Sequence, residues 1–575
     1  MMRRFRFSPA LPQTPAFTPG DGLILFGIAA VLYVGSRLAF NSPTVIHGPE
    51  ISLSPLALPW YALLSVGRMA AAYFLSMLFS LFYGYAAARH RGARTVLMPL
   101  LDILQSVPIL SFLPVVLLGL TAIMPQALAA ELAAIVLIFT SQAWNITFSF
   151  YQSMTTIPME LREAAAIFRL DPWARFKTLE LPFAAIGLLW NSMMSWSGGW
   201  FFLMAAEIFH VGTRDFRLPG LGSYLQAAAN AGSLRAVLAG LGTLVLVIVM
   251  LDQFVWRPLT AWTDKFKVEM LEAEYPPSSW FAHLLSRSWL VDQCGRRIWN
   301  PFSEWIDGKL RGPLSAHISP PESLPAGRPS FVTTGIGVVF VLLVGYGAYR
   351  AAELLITLPT AAWSRVGLGL FATFVRVAMS LIIALLWTVP IGVLIGTNRR
   401  AANILQPLVQ VIAAIPATAL FPIVLLALLN LPGGLNIAAI ALMLMGTQWY
   451  LLFNVIAGAS SIPQDLRMTT ELLQLSRLDR WRTLILPALF PFIVTGSITA
   501  SGGAWNASIV AEQVEFGGQT HATTGIGAVI SQATGAGDYS LLLAGTLALV
   551  LAVVLVNRLF WQRLYRIAEE RYRLE

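Results

Sequence analysis

Charge is scarce in this chain, and so is cysteine. Asp, Glu, Lys and Arg make up only 12% of its 575 residues, about half the share of a water-soluble protein. Residues of hydrophobic type make up 57%, which excludes an ordinary soluble domain. The one cysteine, Cys294, cannot form an intrachain disulfide. With no cysteine and histidine cluster, no structural zinc site or other metal site is expected. No Gly-x4-Gly-Lys-Ser/Thr phosphate loop occurs, so the chain is not expected to hydrolyse ATP itself. No catalytic constellation stands out, and no cofactor of its own is expected.

What is present in quantity is apolar sequence in runs of about 20 residues or more, long enough to cross a bilayer. Lys and Arg total 38 against 29 acidic residues, a net +9. The basic residues sit at the ends of apolar runs, where they act as topology signals and lipid-surface contacts rather than as a nucleic-acid footprint. The start, Met1-Met2-Arg3-Arg4, resembles a twin-arginine export signal, but a Pro-rich spacer follows and no small-residue cleavage site is evident. Residues 1–21 are therefore read as a cytoplasmic tail before an uncleaved first span.

Spans are predicted at Gly22–Phe40, Trp60–Ala88, Val96–Met124, Leu128–Gln152, Phe183–Ala206 and Leu234–Trp256. The third carries Pro99, Pro108 and Pro114, so it is expected to be kinked or broken and to face protein or water. Residues 258–330 are charged and rich in Pro, Ser and Trp, and read as a cytoplasmic linker. Trp280, Trp289, Trp299 and Trp305 fit either an interfacial helix or a packed accessory element. The pattern then repeats at Val332–Tyr349, Leu368–Thr397, Ile404–Leu429, Ile437–Ala457, Ala488–Ala511 and Leu541–Phe560, before a cytoplasmic tail at 563–575.

The repetition extends to individual residues. Leu161-Arg162 matches Leu466-Arg467, Leu181-Pro182 matches Leu486-Pro487, Trp200 matches Trp505, and Glu207 matches Glu512, all at one offset (512 − 207 = 305). Upstream, Arg68 and Arg376, Gly84 and Gly392, and Pro108 and Pro416 share another (416 − 108 = 308). Both copies begin in the cytoplasm and have an even number of spans, so they are parallel repeats about an axis along the membrane normal. The fold class that follows is an all-α polytopic membrane protein. About twelve transmembrane helices form two parallel six-helix repeats, residues 22–257 and 331–562, a pseudo-dimer enclosing a path.

Between the fourth and fifth spans lies a polar elbow, Glu163-Ala164-Ala165 through Arg169, Asp171 and Pro172 to Leu181-Pro182. This order resembles the EAA loop of bacterial ABC-importer permeases, whose coupling helix docks into the ATP-hydrolysing subunit. Glycine is expected six residues after the Glu, and Arg169 stands there instead. The second elbow keeps its frame (Leu466-Arg467, Leu486-Pro487) but reads Met468-Thr469-Thr470 in place of the triplet, followed by Glu471, Gln474 and Ser476. The resemblance covers nearly the whole chain outside the linker. The Trp-x6-Glu segments (Trp200–Glu207, Trp505–Glu512) and the Gly-rich outer loops after them resemble the branch serving nitrate, taurine, alkanesulfonates and bicarbonate. It implies a small oxyanion or organic anion as substrate, a binding protein on the outer face, and two partner ATPase subunits carrying ATP and Mg. It also implies a bacterial inner membrane location.

The fifth spans carry Asn191, Ser195, Trp196 and Trp200, and Thr499, Ser501, Trp505 and Asn506, the first choice for a path lining, although such residues also serve close helix packing. Glu207 and Glu512 are expected at the outer mouth, as a gate, a docking contact, surface carboxylates or helix-end contacts. Arg68 and Arg376, near the outer ends of the second spans, either snorkel to head groups or face inward. Facing inward, they would brace a carbonyl or Glu207 and Glu512, or meet an anion. A ferric-iron-type permease, a secondary transporter and a membrane scaffold remain alternatives; co-purification with an ATPase separates the last two.

Overall fold

The apolar runs fold into helices whose lengths and breaks recur in the two halves. The computed structural model describes residues 19–39, 48–266 except 112, 212 and 213, then 279–286, 293, 296–297 and 300–310, and 331–571 except 430, 461, 463, 517 and 518. Cys294 lies outside the described residues, as do the two chain ends.

The first half runs α1 (Pro19–Ala39), α2 (Leu58–Arg89), α3 (Arg91–Ser106), α4 (Leu113–Thr121), α5 (Gln126–Thr155), α6 (Met159–Ile167), α7 (Pro172–Arg175), α8 (Leu181–Glu207), α9 (Leu221–Asn230), α10 (Leu234–Leu251) and α11 (Arg257–Thr263). Among the described linker residues lie α12 (Trp280–Ser286) and α13 (Asn300–Leu310). The second half runs α14 (Phe331–Ile356), α15 (Thr360–Thr397), α16 (Arg399–Ala414), α17 (Ala417–Leu428), α18 (Gly434–Ser460), α19 (Gln464–Leu472), α20 (Arg477–Arg480), α21 (Leu486–Ala511), α22 (Ile526–Ala536), α23 (Tyr539–Val556) and α24 (Gln562–Arg571). Element starts obey the two sequence offsets: 464 − 159 = 305 for α6 and α19, and 399 − 91 = 308 for α3 and α16. Short antiparallel hairpins lie between α8 and α9, where β1 (His210–Val211) pairs with β2 (Arg214–Asp215), and between α21 and α22. In the latter, β3 (Gln513–Phe516) pairs with β4 (Gln519–Ala522) in the register Gln513 to Ala522.

Among the described residues, seven helices are long and apolar enough to cross a membrane. The third span of each half is two shorter helices rather than one. In the first half the break is at Val107-Pro108, and a 3-10 turn, Ile109–Ser111, leads into α4. In the second it falls at Ile415-Pro416. A proline has no N–H to continue the ladder and pushes the residue before it out of the helical region, and Val107 and Ile415 are both extended. The sixth span outruns its predicted end at Trp256: a π turn at Asp252–Trp256 carries the helix on through α11. A matching π turn, Asn557–Trp561, carries α23 into α24.

With lipid outside, helix contacts need small residues, and the inward face of α2 supplies them at i, i+4 spacing: Ser76, Ser80 and Gly84, all buried. Ser80 Oγ donates to the Ala143 carbonyl of α5 at 3.1 Å, and Thr147 donates to Ser80 at 2.8 Å. The aligned positions on α15 are Ala384, Thr388 and Gly392, and Gly392 lies against Val455 of α18.

The halves meet reciprocally. α8 packs on α17, and the Ile109–Ser111 turn packs on α21. The first helices of both halves, α1 and α14, also pack on each other: a Cβ at Gly347 would overlap Ala30, and Arg350 Nε donates to Tyr33 Oη at 3.3 Å.

Candidate functional site

Each elbow is a short helix, a reversal and a second short helix. In the first, α6 ends in a paired closure. The Leu170 N–H donates to the Ala165 carbonyl at 3.1 Å and the Arg169 N–H to the Ala166 carbonyl at 3.0 Å. This closure requires a left-handed residue at its centre. Arg169 fills it at φ 48°, and Gln474 fills the same place in the second elbow at φ 50°, where the Leu475 N–H donates to the Thr470 carbonyl. The missing glycines therefore have a structural meaning: both elbows hold a strained conformation that glycine would adopt freely, at a cost of about 1 kcal/mol each.

Asp171 and Ser476 cap the next helices. Asp171 Oδ1 accepts from the Ala174 N–H at 2.6 Å, and Ser476 Oγ accepts from the Asp479 N–H at 3.2 Å, which satisfies N-terminal donors. A π turn follows in each, Phe176–Glu180 and Trp481–Ile485, before the Leu-Pro that opens the fifth span. Arg162 donates to the carbonyls of Met154 and Thr155, and Arg467 to that of Ala459, so each elbow is tied back to the C-terminal end of its fourth span. Ala165 and Thr470 are buried, while Glu163 is exposed and Ala164 half-buried. The side chain of Glu471 lies outside the described residues. Beside each reversal sits a pair of exposed apolar residues, Ile167 and Phe168 in the first elbow, Leu472 and Leu473 in the second.

At the opposite end of each fifth span the structure builds a buried latch. Glu207 is completely inaccessible. Its Oε1 accepts from Ser65 Oγ at 2.7 Å and from Arg68 Nη1 at 2.8 Å, and its Oε2 accepts from the Gly222 N–H at 2.7 Å. Arg68 gives its other donors to the Pro219 carbonyl and, as a two-pronged fork, to Glu131. The second half repeats this residue by residue. Glu512 accepts from Thr373 Oγ1 at 2.6 Å, Arg376 Nη1 at 2.7 Å and the Gly527 N–H at 2.8 Å. Asn436 stands where Glu131 stood (436 − 131 = 305), and accepts from Arg376 Nε and Nη2. The Gly-rich loops after the fifth spans follow from this geometry, since a Cβ at Gly220 or Gly525 would fall 2.2 Å or 2.1 Å from the carboxylate. The N-termini of α9 and α22 place their positive ends against it.

The structure selects among the alternatives for both pairs, and makes Glu207 and Glu512 helix-end contacts. Glu207 and Glu512 do not stand open at an outer mouth, because Ser65 or Thr373, the arginine and the glycine loop enclose them. Arg68 and Arg376 do not snorkel to head groups: both are buried and committed to carboxylates, amide oxygen and carbonyls, the inward brace. Their charge is neutralised in place, so neither presents a free guanidinium to an anion.

The fifth-span candidates divide. Asn506 lies on the seam between the halves, its Oδ1 accepting from the Leu110 N–H at 3.4 Å. Trp505 is buried against Phe374 of its own half. Ser195 is buried, and Trp196 turns into its own half, edge-on to Tyr73 and Trp256, rather than toward the seam. Trp200 is also buried. Asn191 donates to the Gly187 carbonyl in its own helix, Ser501 is buried, and Thr499 donates to the Thr495 carbonyl. Beyond Asn506, sequence reasoning missed the residues that touch across the seam. Tyr450 Oη lies 2.9 Å from where a Gly198 Cβ would be, and Thr418 Oγ1 donates to the Phe201 carbonyl at 3.4 Å. The paired Pro108 and Pro416 breaks were the signal, because they bring the α17 and Ile109–Ser111 segments to the other half's fifth span. A cavity of about 10 Å³ lined by Met204, Gly222, Gln226 and Thr418 marks the seam there. It has room for one water at most.

Fold and site together define a duplicated, all-α, polytopic membrane protein, each half carrying an elbow at one end of its fifth helix and a latch at the other. The sequence profile of the family described as binding-protein-dependent transport system inner membrane component matches residues 55–255 and 388–574. The chain belongs to that family, with its domain present twice. Over 195 residues it is 32% identical to the nitrate import permease protein NrtB of Leptolyngbya laminosa, covering 33% of this chain and 66% of that one. It is 36% identical over 154 residues to the bicarbonate transport system permease protein CmpB of Synechococcus elongatus, covering 26% and 54%. With the taurine transport system permease protein TauC of Escherichia coli it shares 25% over 164 residues, covering 28% and 56%. The aligned segments thus span between half and two thirds of these relatives' length.

Proposed function

We propose that this chain is the membrane-spanning permease of an ATP-driven importer for a small oxyanion or organic anion of the nitrate, bicarbonate, sulfonate or taurine type. The duplicated elbow carries the proposal: two polar reversals, each tied to the end of a fourth span and each offering an exposed apolar pair, suit two copies of one partner. The partners would be two ATPase subunits holding ATP and Mg, with a binding protein delivering solute on the outer face. ATP-driven closure of the ATPases would draw the elbows together, and the rigid fifth helices would carry that motion to the seam, opening it alternately to either side. Asn506, Tyr450, Thr418 and the Ile109–Ser111 turn are the groups this motion would part. Both termini and the linker would lie in the cytoplasm, with residues 22–257 and 331–562 as the two transport units. The substrate class rests on the relatives' names and on the shared fifth-span pattern.

The test is uptake into proteoliposomes holding this chain with its ATPase and binding protein. Nitrate, bicarbonate and taurine are offered in turn, with ATP or a non-hydrolysable analogue inside. ATP-dependent accumulation of one anion supports the proposal. Accumulation that follows an ion gradient and ignores ATP would favour a secondary transporter instead.

A further inference from the structure

The linker touches the first elbow. On α13, Ser303 and Asp307 are four residues apart and share a face. Lys177 Nζ donates to Asp307 Oδ2 at 2.7 Å and to Ser303 Oγ at 2.9 Å, and Trp173 Nε1 donates to Asp307 Oδ1 at 2.8 Å. One carboxylate thus takes both a charged and a neutral donor from the α7 segment. The contact continues inward: Trp173 stacks on Phe176 at 5.8 Å, and Phe176 meets Tyr85 of α2 edge-on at 5.8 Å. At the base of the same elbow, Glu180 is buried and paired with Arg89 of α2 and with Arg175.

The second elbow keeps a cation, Arg482, at the position of Lys177 (482 − 177 = 305), but lacks the other residues of both ties. Leu478 occupies the position of Trp173 and has no side-chain donor (478 − 173 = 305). Ile485 occupies that of Glu180 and Thr397 that of Arg89 (397 − 89 = 308), so the buried ion pair cannot form. Two halves that repeat down to their π turns and to the Arg162 and Arg467 ties differ at these two points.

We infer that the linker helix α13 is a brace on the first elbow, and that Asp307 is a positioning residue through which that elbow moves as one body with the linker and α2, whereas the second elbow meets α15 through the apolar cluster of Trp481 and Ile485 with Val389 and Val393. The linker is then part of the coupling machinery and not a tether. This rests on the elbows being ATPase contacts, as proposed above, but the brace itself can be measured without an ATPase.

Three variants of the full chain suffice: Asp307→Ala, Lys177→Asp, and the exchange Lys177→Asp with Asp307→Lys. Hydrogen exchange of residues 300–310 in the purified protein reads the docking. A charge-assisted contact of this kind predicts about tenfold faster exchange in each single variant, with most of that protection restored in the exchange variant. Solute imported per ATP hydrolysed in the reconstituted complex reads the function, and is expected to fall severalfold in the single variants and recover in the exchange variant. Unchanged exchange in both single variants would overturn the brace. Faster exchange with an unchanged import ratio would overturn its role in coupling. If the unaltered complex imports nothing on ATP, the permease proposal fails, and hydrogen exchange alone decides the brace.

Discussion

Replacing Arg376 by Met asks whether the latch arginines serve the fold or the solute. In the structure Glu512 is inaccessible to solvent and meets three donors, one of them Arg376 Nη1. Removing that guanidinium leaves a buried carboxylate held only by Thr373 and the Gly527 N–H. Breaking one side of a buried ion pair costs about 3–5 kcal/mol. The double change Arg376→Met with Glu512→Gln removes both charges and keeps an oxygen for the Gly527 N–H. It is expected to lose less than the single change, with a coupling of about 1 kcal/mol or more between the two sites. Arg376→Lys should fall between, since an ammonium satisfies Glu512 but cannot also span Asn436, Thr523 and the Thr524 carbonyl. In the first half, Arg68→Met frees two carboxylates, but Glu131 is 38% exposed and regains water, so Glu131→Asn should relieve only part of the loss. Thermal unfolding of the detergent-solubilised chain and its abundance in membranes are the assays. If Arg376→Met unfolds and accumulates like the parent while anion uptake disappears, the argument is refuted and the guanidinium acts on the solute.

Other expectations follow from the same geometry. Arg169→Gly and Gln474→Gly each relieve a left-handed backbone and should raise stability by up to about 1 kcal/mol, seen as a higher melting temperature. Gly525→Ala places a methyl group on the Glu512 carboxylate and should sharply lower membrane abundance, whereas Gly502→Ala, with open space around it, should not. Ala165 and Thr470 are equally buried, but only the first elbow keeps the Glu163-Ala164-Ala165 triplet, so a charge at Ala165 should cost more ATPase coupling than one at Thr470, as substrate-stimulated ATP hydrolysis would show; equal losses would contradict it. An impermeant thiol reagent should label Cys294 only from the cytoplasmic side, and labelling from outside would invert the topology.

Much of this architecture was legible in the sequence because a bilayer permits few solutions. Hydrophobic runs gave the helices, the two offsets gave the repeat, and prolines gave the break in the first half's third span, which the structure repeats at Pro416. The Leu-Arg and Leu-Pro frames located the elbows, and the departure from glycine at Arg169 pointed to the residue that proves left-handed. What was not legible depends on which way a helix turns. Trp196 and Trp200 read alike as polar-edged aromatics in an apolar run, yet Trp196 packs into its own half while Gly198, between them, meets the other. The acidic ends Glu207 and Glu512 look like surface residues by position. Only the fold of the glycine loop over them shows that they are enclosed. Asp307 had no signal at all, since it lies in a linker about 130 residues from the lysine it pairs with.

If one chain supplies both halves of an ATP-coupled permease, as proposed, each elbow should hold one ATPase. Native mass measurement of the complex extracted from its own membrane tests it most directly. One copy of this chain with two copies of an ATPase is expected, with loss of an ATPase when Ile167 and Phe168, or Leu472 and Leu473, are changed to Asp. A chain that leaves the membrane as a homodimer, or with no ATPase bound and both elbows free, would contradict it.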